Sequence, residues 1–269
     1  MDTLFRWNLA RREQLGTLVP DVLPSHPPNA ERTLAARLLA ASGGSDLWFI
    51  GRSLERCFDY LSGALPDGEP DLALVNISLR FKSFDRLALR GELARIGLSP
   101  QVLYRRSRPQ ALCDVIDSGD TMRILVTELA RWTGDTVRDV PAVMRQLRIV
   151  GVVMQRKPSP NAERWHQQAE WLRAFPEVAV ENVSLPRAAW SEVADRQAKL
   201  GTWNPPGRWG APLTPHEVRT REKLDAMARA LAVHEAARDP AERRALAGEL
   251  AKTKAPRFRW GRQLLAALT

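Results

Sequence analysis

Apolar residues along this chain fall into two rhythms. Short, nearly continuous aliphatic runs occur at 46–50 (Asp46-Leu47-Trp48-Phe49-Ile50), 72–81, 111–116 and 147–154. Runs of this length predict strands buried on both faces. Between them the spacing is helical. Leu34, Leu38 and Leu39 line one face of a segment that Asn29 can cap and Ser42-Gly43-Gly44-Ser45 ends. Leu54, Phe58 and Leu61 mark a helix over 54–65. Further helices are expected over 84–96, stopped by Gly97, and over 122–132. Alternation of such strands and helices predicts an α/β fold, a mainly parallel twisted sheet flanked by helices.

The flanks read differently. Pro20, Pro24, Pro27 and Pro28 separate an N-terminal arm from the rest. After Arg156, Pro158 and Pro160 open a loop. Asn161 can cap a helix bearing Trp165, Trp171 and Leu172, and 178–185 suits an edge strand. The Pro/Gly-rich stretch 201–215 excludes regular structure. Thr214 and Pro215, cap then proline, begin a helical tail that is interrupted near Asp239-Pro240 and Pro256. The organisation expected is an arm and linker (1–28), an α/β domain (29–200), and a loop with a helical basic extension (201–269).

Composition narrows the class. At 269 residues and 44% apolar content the chain can bury a sizeable core. No apolar run approaches the roughly 18 residues of a membrane span. Asp2, Arg6, Arg11, Arg12 and Glu13 replace the apolar stretch of a secretory signal, so a cytoplasmic protein is expected. Cys57 and Cys113 lie far apart in apolar contexts. They are expected as buried free thiols, without metal-ligand spacing. The net charge of +9 implies an anionic partner: a phosphorylated ligand, nucleic acid or an acidic protein. A solvated basic surface would carry the same charge. Oligomerisation stays open.

The segment from Cys113 to Met122 holds the chemistry. A strand leads through Asp117-Ser118-Gly119-Asp120-Thr121 into a helix. Gly119 permits close backbone approach to a phosphate, Ser118 and Thr121 supply hydroxyls, and the helix start presents unpaired N–H groups and the positive dipole end. A phosphate monoester suits that arrangement. An Asp-capped helix after a buried strand would look the same.

This loop resembles the phosphoribosyl-pyrophosphate motif of the type I phosphoribosyltransferases, and most closely the hypoxanthine-guanine variant, which runs Glu-Asp, two aliphatics, then Asp-Thr-Gly-Lys-Thr. The resemblance implies that Asp114 holds the ribose hydroxyls and that Asp117 acts as general base. It places Ser118, Gly119, Asp120 and Thr121 around the 5′-phosphate, with Val115 and Ile116 as the aliphatics. Cys113 replaces the family's first acid, and Asp120 adds a carboxylate beside the phosphate. The family's order of elements puts Gly51-Arg52-Ser53 at its pyrophosphate loop and 80–108, with Arg80, Lys82, Arg105, Arg106 and Arg108, at its mobile lid. It also implies Mg²⁺, with phosphoribosyl pyrophosphate as substrate and transfer to or from a nitrogenous base. A non-catalytic phosphoribosyl sensor, or a nucleic-acid- or protein-binding module, on the same fold is the alternative. A doubly wound nucleotide- or methyl-donor-binding domain would need a glycine-rich turn after the first strand, where this chain has one glycine.

The remaining candidates lie outside the resemblance or toward its edge. Trp203, Arg208 and Trp209 could form a hood over a flat ring, or anchor an irregular loop. His26, His166, His216 and His234 show no ligand spacing and are expected at surface or cap positions. Arg219, Arg221, Lys223, Arg229, Lys252, Lys254, Arg257, Arg259 and Arg262 give the extension a basic character suited to nucleic-acid phosphates or to a solvated face. If the reading is right, Gly51 and Gly119 lie side by side at the carboxyl edge of one parallel sheet.

Overall fold

The structure, a computed structural model, describes residues 9, 15, 19–20, 22–25, 27–65, 70–79, 84–155, 164–200, 209 and 220–269. Five strands form one all-parallel sheet: β1 (Asp46–Ile50), β2 (Leu72–Val75), β3 (Gln110–Val115), β4 (Leu147–Met154) and β5 (Ala179–Leu185), in the order β2-β1-β3-β4-β5. The α/β expectation holds, and β4 has the bounds its aliphatic run predicts. The first two helices are α1 (Asn29–Ser42) and α2 (Glu55–Ala64), and the middle of the chain forms α3 (Arg86–Arg95), α4 (Pro100–Arg105), α5 (Asp120–Thr136) and α6 (Val140–Met144). Sequence periodicity missed α4 and α6, which are short. Their signals are chemical: Ser99-Pro100 opens α4, and the Asp139 carboxylate caps α6 by accepting from Ala142 N–H at 3.0 Å.

Side-chain alternation along the strands feeds two cores. One face collects Leu47, Phe49, Ala111, Cys113, Val150 and Val183 against α1, α2 and the C-terminal helices α9 (Arg221–Arg238), α10 (Pro240–Ala251) and α11 (Arg259–Leu268). The other collects Trp48, Ile50, Leu112 and Ile149 against α3 to α6. The β4–β5 connection holds α7 (Trp165–Gln168) and a 3₁₀ turn (Glu170–Ala174), and its Trp165, Trp171 and Leu172 pack on that second face. After β5, α8 (Arg187–Ser191) and the helical turn that follows it (Glu192–Arg196) return the chain to the first face through Trp190 and Val193.

Several sequence expectations need correction. The second strand stops at Val75 rather than near Phe81, because Gly51 turns β1 away after the Ile50–Val75 pair and leaves β2 without a ladder partner. Ile77 and Leu79 continue as buried, irregular chain, and Phe81 lies outside the described residues. The extension begins its helix at Arg221, capped by Thr220, which accepts from Lys223 N–H at 3.3 Å. Thr214 and Pro215 are outside the described residues. The break at Asp239-Pro240 is as expected: Asp239 ends α9 and caps α10 through Ala241 N–H at 2.6 Å.

His234 is not a surface or cap residue. It is buried between α2 and α9, where Ser62 Oγ lies 3.0 Å from its Nδ1 and the Asp59 carbonyl 3.3 Å away. Small residues permit this burial. A methyl group on Gly63 would stand 2.2 Å from the His234 carbonyl oxygen, so the two helix backbones nearly touch.

The lid cations also lie elsewhere. Arg106 and Arg108 precede β3 and therefore sit at the amino edge of the sheet. Both reach the buried Asp46 at 3.3 Å, and Gln110 donates to the same carboxylate at 3.1 Å while accepting from Trp48 Nε1. Arg105, exposed at the end of α4, shares that edge. Arg80 and Lys82 are outside the described residues.

Gly63→Ala forces α2 and α9 apart. We expect a loss of roughly 1–3 kcal/mol, the usual range for overpacking, read as a lower urea midpoint with an unchanged slope.

Candidate functional site

β1 and β3 are neighbours, and the chain leaves both at the carboxyl edge through glycines with left-handed backbone: Gly51 (φ 67°) and Gly119 (φ 83°). The strands run in register from Asp46–Gln110 to Phe49–Cys113, so the turns that follow stand side by side. Strand order reverses between β1 and β3, and a ligand crevice belongs at such a point in an open parallel sheet. A cleft of about 740 Å³ opens beside the β3 turn, lined by residues 114 to 124 and by Leu79; Gly51, Arg52 and Ser53 are not among its lining residues.

The loop places its groups unequally. Asp117 and Ser118 are exposed in the cleft, whereas Gly119 is buried. Ser118 Oγ donates to Asp120 Oδ2 at 3.0 Å and accepts the Asp120 N–H at 3.4 Å. Gly119, the N-cap of α5, puts no side-chain cap on the helix, and the first turn, Asp120 to Arg123, lines the cleft. Asp114 lines the cleft and turns Oδ1 back to its neighbour's N–H, Val115, at 2.7 Å. Thr121 lies half-buried at the rim.

Arg123 completes the set, and sequence reading passed over it. Its Nε donates to Asp120 Oδ1 at 3.1 Å, and the guanidinium lines the cleft. The Ser118 hydroxyl, then Arg123, hold the Asp120 carboxyl below its ordinary value. The extra carboxylate in the loop thus comes with a cation three residues on. That i,i+3 spacing in a first helical turn was the available signal.

The Gly51-Arg52-Ser53 turn is held from a distance in sequence. Gln197 Nε2 donates to the Ser53 carbonyl, and Lys199 Nζ reaches the same oxygen at 3.5 Å and the Val193 carbonyl at 3.0 Å. Leu200 N–H donates to the buried Glu55 carboxylate at 2.8 Å, and Lys223 Nζ donates to the Lys199 and Leu200 carbonyls at 2.9 and 3.0 Å. These links tie the turn after β1 to the start of α9.

Cys113 does not face the cleft. Its side chain lies in the α1/α2 core, and burial pushes the thiol of Cys113, like that of Cys57, upward. Both cysteines are unpaired. The acid supplied by the end of β3 is therefore Asp114 alone.

Behind the loop sits a group that periodicity did not single out. Trp165 rests on Gly119 and beside Gly151: a methyl on Gly119 would lie 2.6 Å from Trp165 Cζ3, and one on Gly151 3.4 Å from Trp165 Nε1. Trp165 Nε1 donates to Asn182 Oδ1 at 2.7 Å, and Asn182 Nδ2 lies 2.9 Å from His166 Nδ1. The histidine is half-buried rather than at the surface. A glycine inside the aliphatic β4 run was the sequence signal for such a close approach. Trp209 packs against the α3–α6 core, as a loop anchor does, while Trp203 and Arg208 are outside the described residues.

Among the described residues, no group of three or more His, Cys, Asp or Glu side chains could hold a metal ion, and no helix is long and apolar enough to cross a membrane. In the basic extension, Lys254 pairs with Glu181 at 2.6 Å and Lys252 with Glu249 at 2.8 Å, while Arg257 and Arg259 are exposed.

Two outcomes follow. Neither thiol of the native protein reacts with iodoacetamide at pH 8, and both react in denaturant, as counted by mass spectrometry. Gly119→Ala combines a left-handed backbone with displacement of Trp165, and we expect a loss of about 1–3 kcal/mol in thermal unfolding, with altered near-UV circular dichroism. The site stands on its geometry: no family model, curated protein or solved structure matches this chain.

Proposed function

We propose that this protein binds phosphoribosyl pyrophosphate, or a related phosphoribosyl ligand, and transfers the phosphoribosyl group to or from a nitrogenous base. One observation carries the reading: two left-handed glycine turns leave the carboxyl ends of adjacent parallel strands, and the second of them lines a cleft formed by Asp114 to Ile124. The α5 N-terminus with Ser118, Gly119 and Thr121 receives the 5′-phosphate, and Arg123 balances both that charge and Asp120. Asp114 takes the ribose hydroxyls. The Gly51-Arg52-Ser53 turn next door accommodates the pyrophosphate. Asp117, exposed in the cleft, is the general base or the hydrogen-bond partner of the incoming base.

The donor set suits Mg²⁺ only in part. Asp114 offers one carboxylate beside the cleft, so the ion would be held chiefly by the ligand's own oxygens, as is usual for this cation. When bound there, it offsets charge on the departing pyrophosphate. The protein's own tasks are to fix the sugar between two loops and to keep both anionic ends apart.

A second reading is a non-catalytic sensor of the same ligand. The burial of Cys113 in the core favours it, because the cleft then has one strand-end acid. Titration calorimetry with phosphoribosyl pyrophosphate and Mg²⁺, followed by a pyrophosphate-release assay over a panel of bases, separates the two. Binding with release supports the transferase, and binding without release supports the sensor. Absence of binding overturns both, and salt-dependent affinity for nucleic acid alone would point to the basic extension instead.

Asp117→Asn is expected to retain ligand binding and to lower turnover by about 10²–10⁴-fold, the usual worth of a general base. Turnover like the wild type removes Asp117 from catalysis.

A further inference from the structure

We infer that Asn182 is the positioning residue of the 117–121 loop, holding Trp165 against Gly119, and that a proton on His166 releases this lock. The inference goes beyond the phosphoribosyl reading, because the lock is a property of the ligand-free chain.

The chemistry of each atom dictates the arrangement. An indole N–H can only donate. Trp165 Nε1 therefore requires an acceptor, and Asn182 Oδ1 fills that role at 2.7 Å. The amide orientation is then set, and Asn182 Nδ2 must donate. Its partner at 2.9 Å is His166 Nδ1, which accepts only when bare. The imidazole is consequently neutral, with its proton on Nε2. Three side chains from α7 and β5 share one consistent direction of donation.

A proton on Nδ1 breaks that direction. Two donors, Nδ1–H and Asn182 Nδ2–H, would face each other. Rotating the amide to accept from His166 would turn its NH₂ toward Trp165 Nε1–H, which again sets donor against donor. The first arrangement pushes the Asn182 amide away from the position in which it holds the indole, and the second takes the indole's acceptor away. The indole fills the space beside Gly119 and Gly151 where no side chain grows, so its departure takes away the wall behind the loop.

The surroundings favour the neutral ring. Burial, then the Arg164 charge on the same segment, lower His166 below its ordinary value. β5 presents Asn182 to it. Glu181 alternates to the opposite face, where it pairs with Lys254 at 2.6 Å. β4 presents Gly151. The β3–α5 loop carries Asp117 and Asp120, the latter engaged by Ser118 and Arg123. His166 binds its proton less readily in the locked state than in the released one. The lock is thus complete above about pH 6.5, the value of an unperturbed histidine, and weakens as pH falls through that value and below.

The test uses the ligand-free full chain. ¹⁵N–¹H spectra recorded from pH 8 to 5 follow the Trp165 indole, assigned by its loss in Trp165→Phe, and the backbone amides of Ser118 to Thr121. We expect indole and amides to shift together, with one midpoint below 6.5. The locked-to-released ratio should fall about tenfold per pH unit between the two His166 values. In His166→Gln, whose side-chain carbonyl accepts from Asn182 without titrating, both sets stay at their pH 8 positions. Asn182→Asp inverts the response: its carboxylate accepts from Trp165 and from protonated His166, so the His166 midpoint rises above 6.5 and the indole remains bonded at pH 5. Loop amides that do not move in the wild type, or that move equally in His166→Gln, overturn the inference. Neither result bears on whether the cleft binds a phosphoribosyl ligand.

Discussion

A parallel sheet whose crossovers keep one hand can extend in both directions from a strand only if its helices change faces. This constraint organises the molecule. From β1 the chain crosses by α2 on one face to β2, then returns by α3 and α4 on the other face to β3. The chain therefore leaves β1 into α2 on one face and leaves β3 into α5 on the other, and the two connections diverge at the carboxyl ends of these strands. The cleft arises from topology before any side chain is chosen. The glycines with φ of 67° and 83° then shape the turns by which the chain leaves the two strands.

Opposite ends of the same strands have different assignments. At the amino edge, Asp46 gathers Arg106, Arg108 and Gln110, and Gln110 holds Trp48, so a buried carboxylate is satisfied on several sides. Removing one partner from such a cluster costs far more than the cluster contributes net, which makes it a fixed point of the fold. At the carboxyl edge, Ser118, Asp120 and Arg123 form a small, solvated set, where charge is cheap to rearrange around a ligand. Cations that look alike in the sequence therefore have different parts. Arg106 staples the base of the sheet, and Arg123 faces the cleft.

Much of this was legible from the sequence, for physical reasons. Strands buried on both faces read as continuous aliphatic runs, which is why 147–154 coincides with β4 and why the 113–122 segment places a loop between strand and helix correctly. What stayed hidden depends on packing between distant segments. β2 ends where β1 turns away, which the 72–81 run cannot express. His234 is buried because Gly63, some 170 residues earlier, lets two helix backbones meet. The lid assignment of Arg106 and Arg108 failed on a simpler point: residues just before a strand stand at its amino end, opposite the crevice.

The relay behind the loop joins these themes. Gly151 interrupts an otherwise aliphatic strand, and read alone it weakens β4. In the fold it admits Trp165, and Trp165 gives Gly119 the lateral support that a left-handed residue without a side chain lacks. An aliphatic side chain in place of Trp165 could fill the same volume, but it would carry no hydrogen-bond direction. The indole N–H imposes one on Asn182 and, through it, on His166. The packing of the loop is thereby tied to the protonation of the half-buried ring next to Trp165, a dependence that shape complementarity alone could not create.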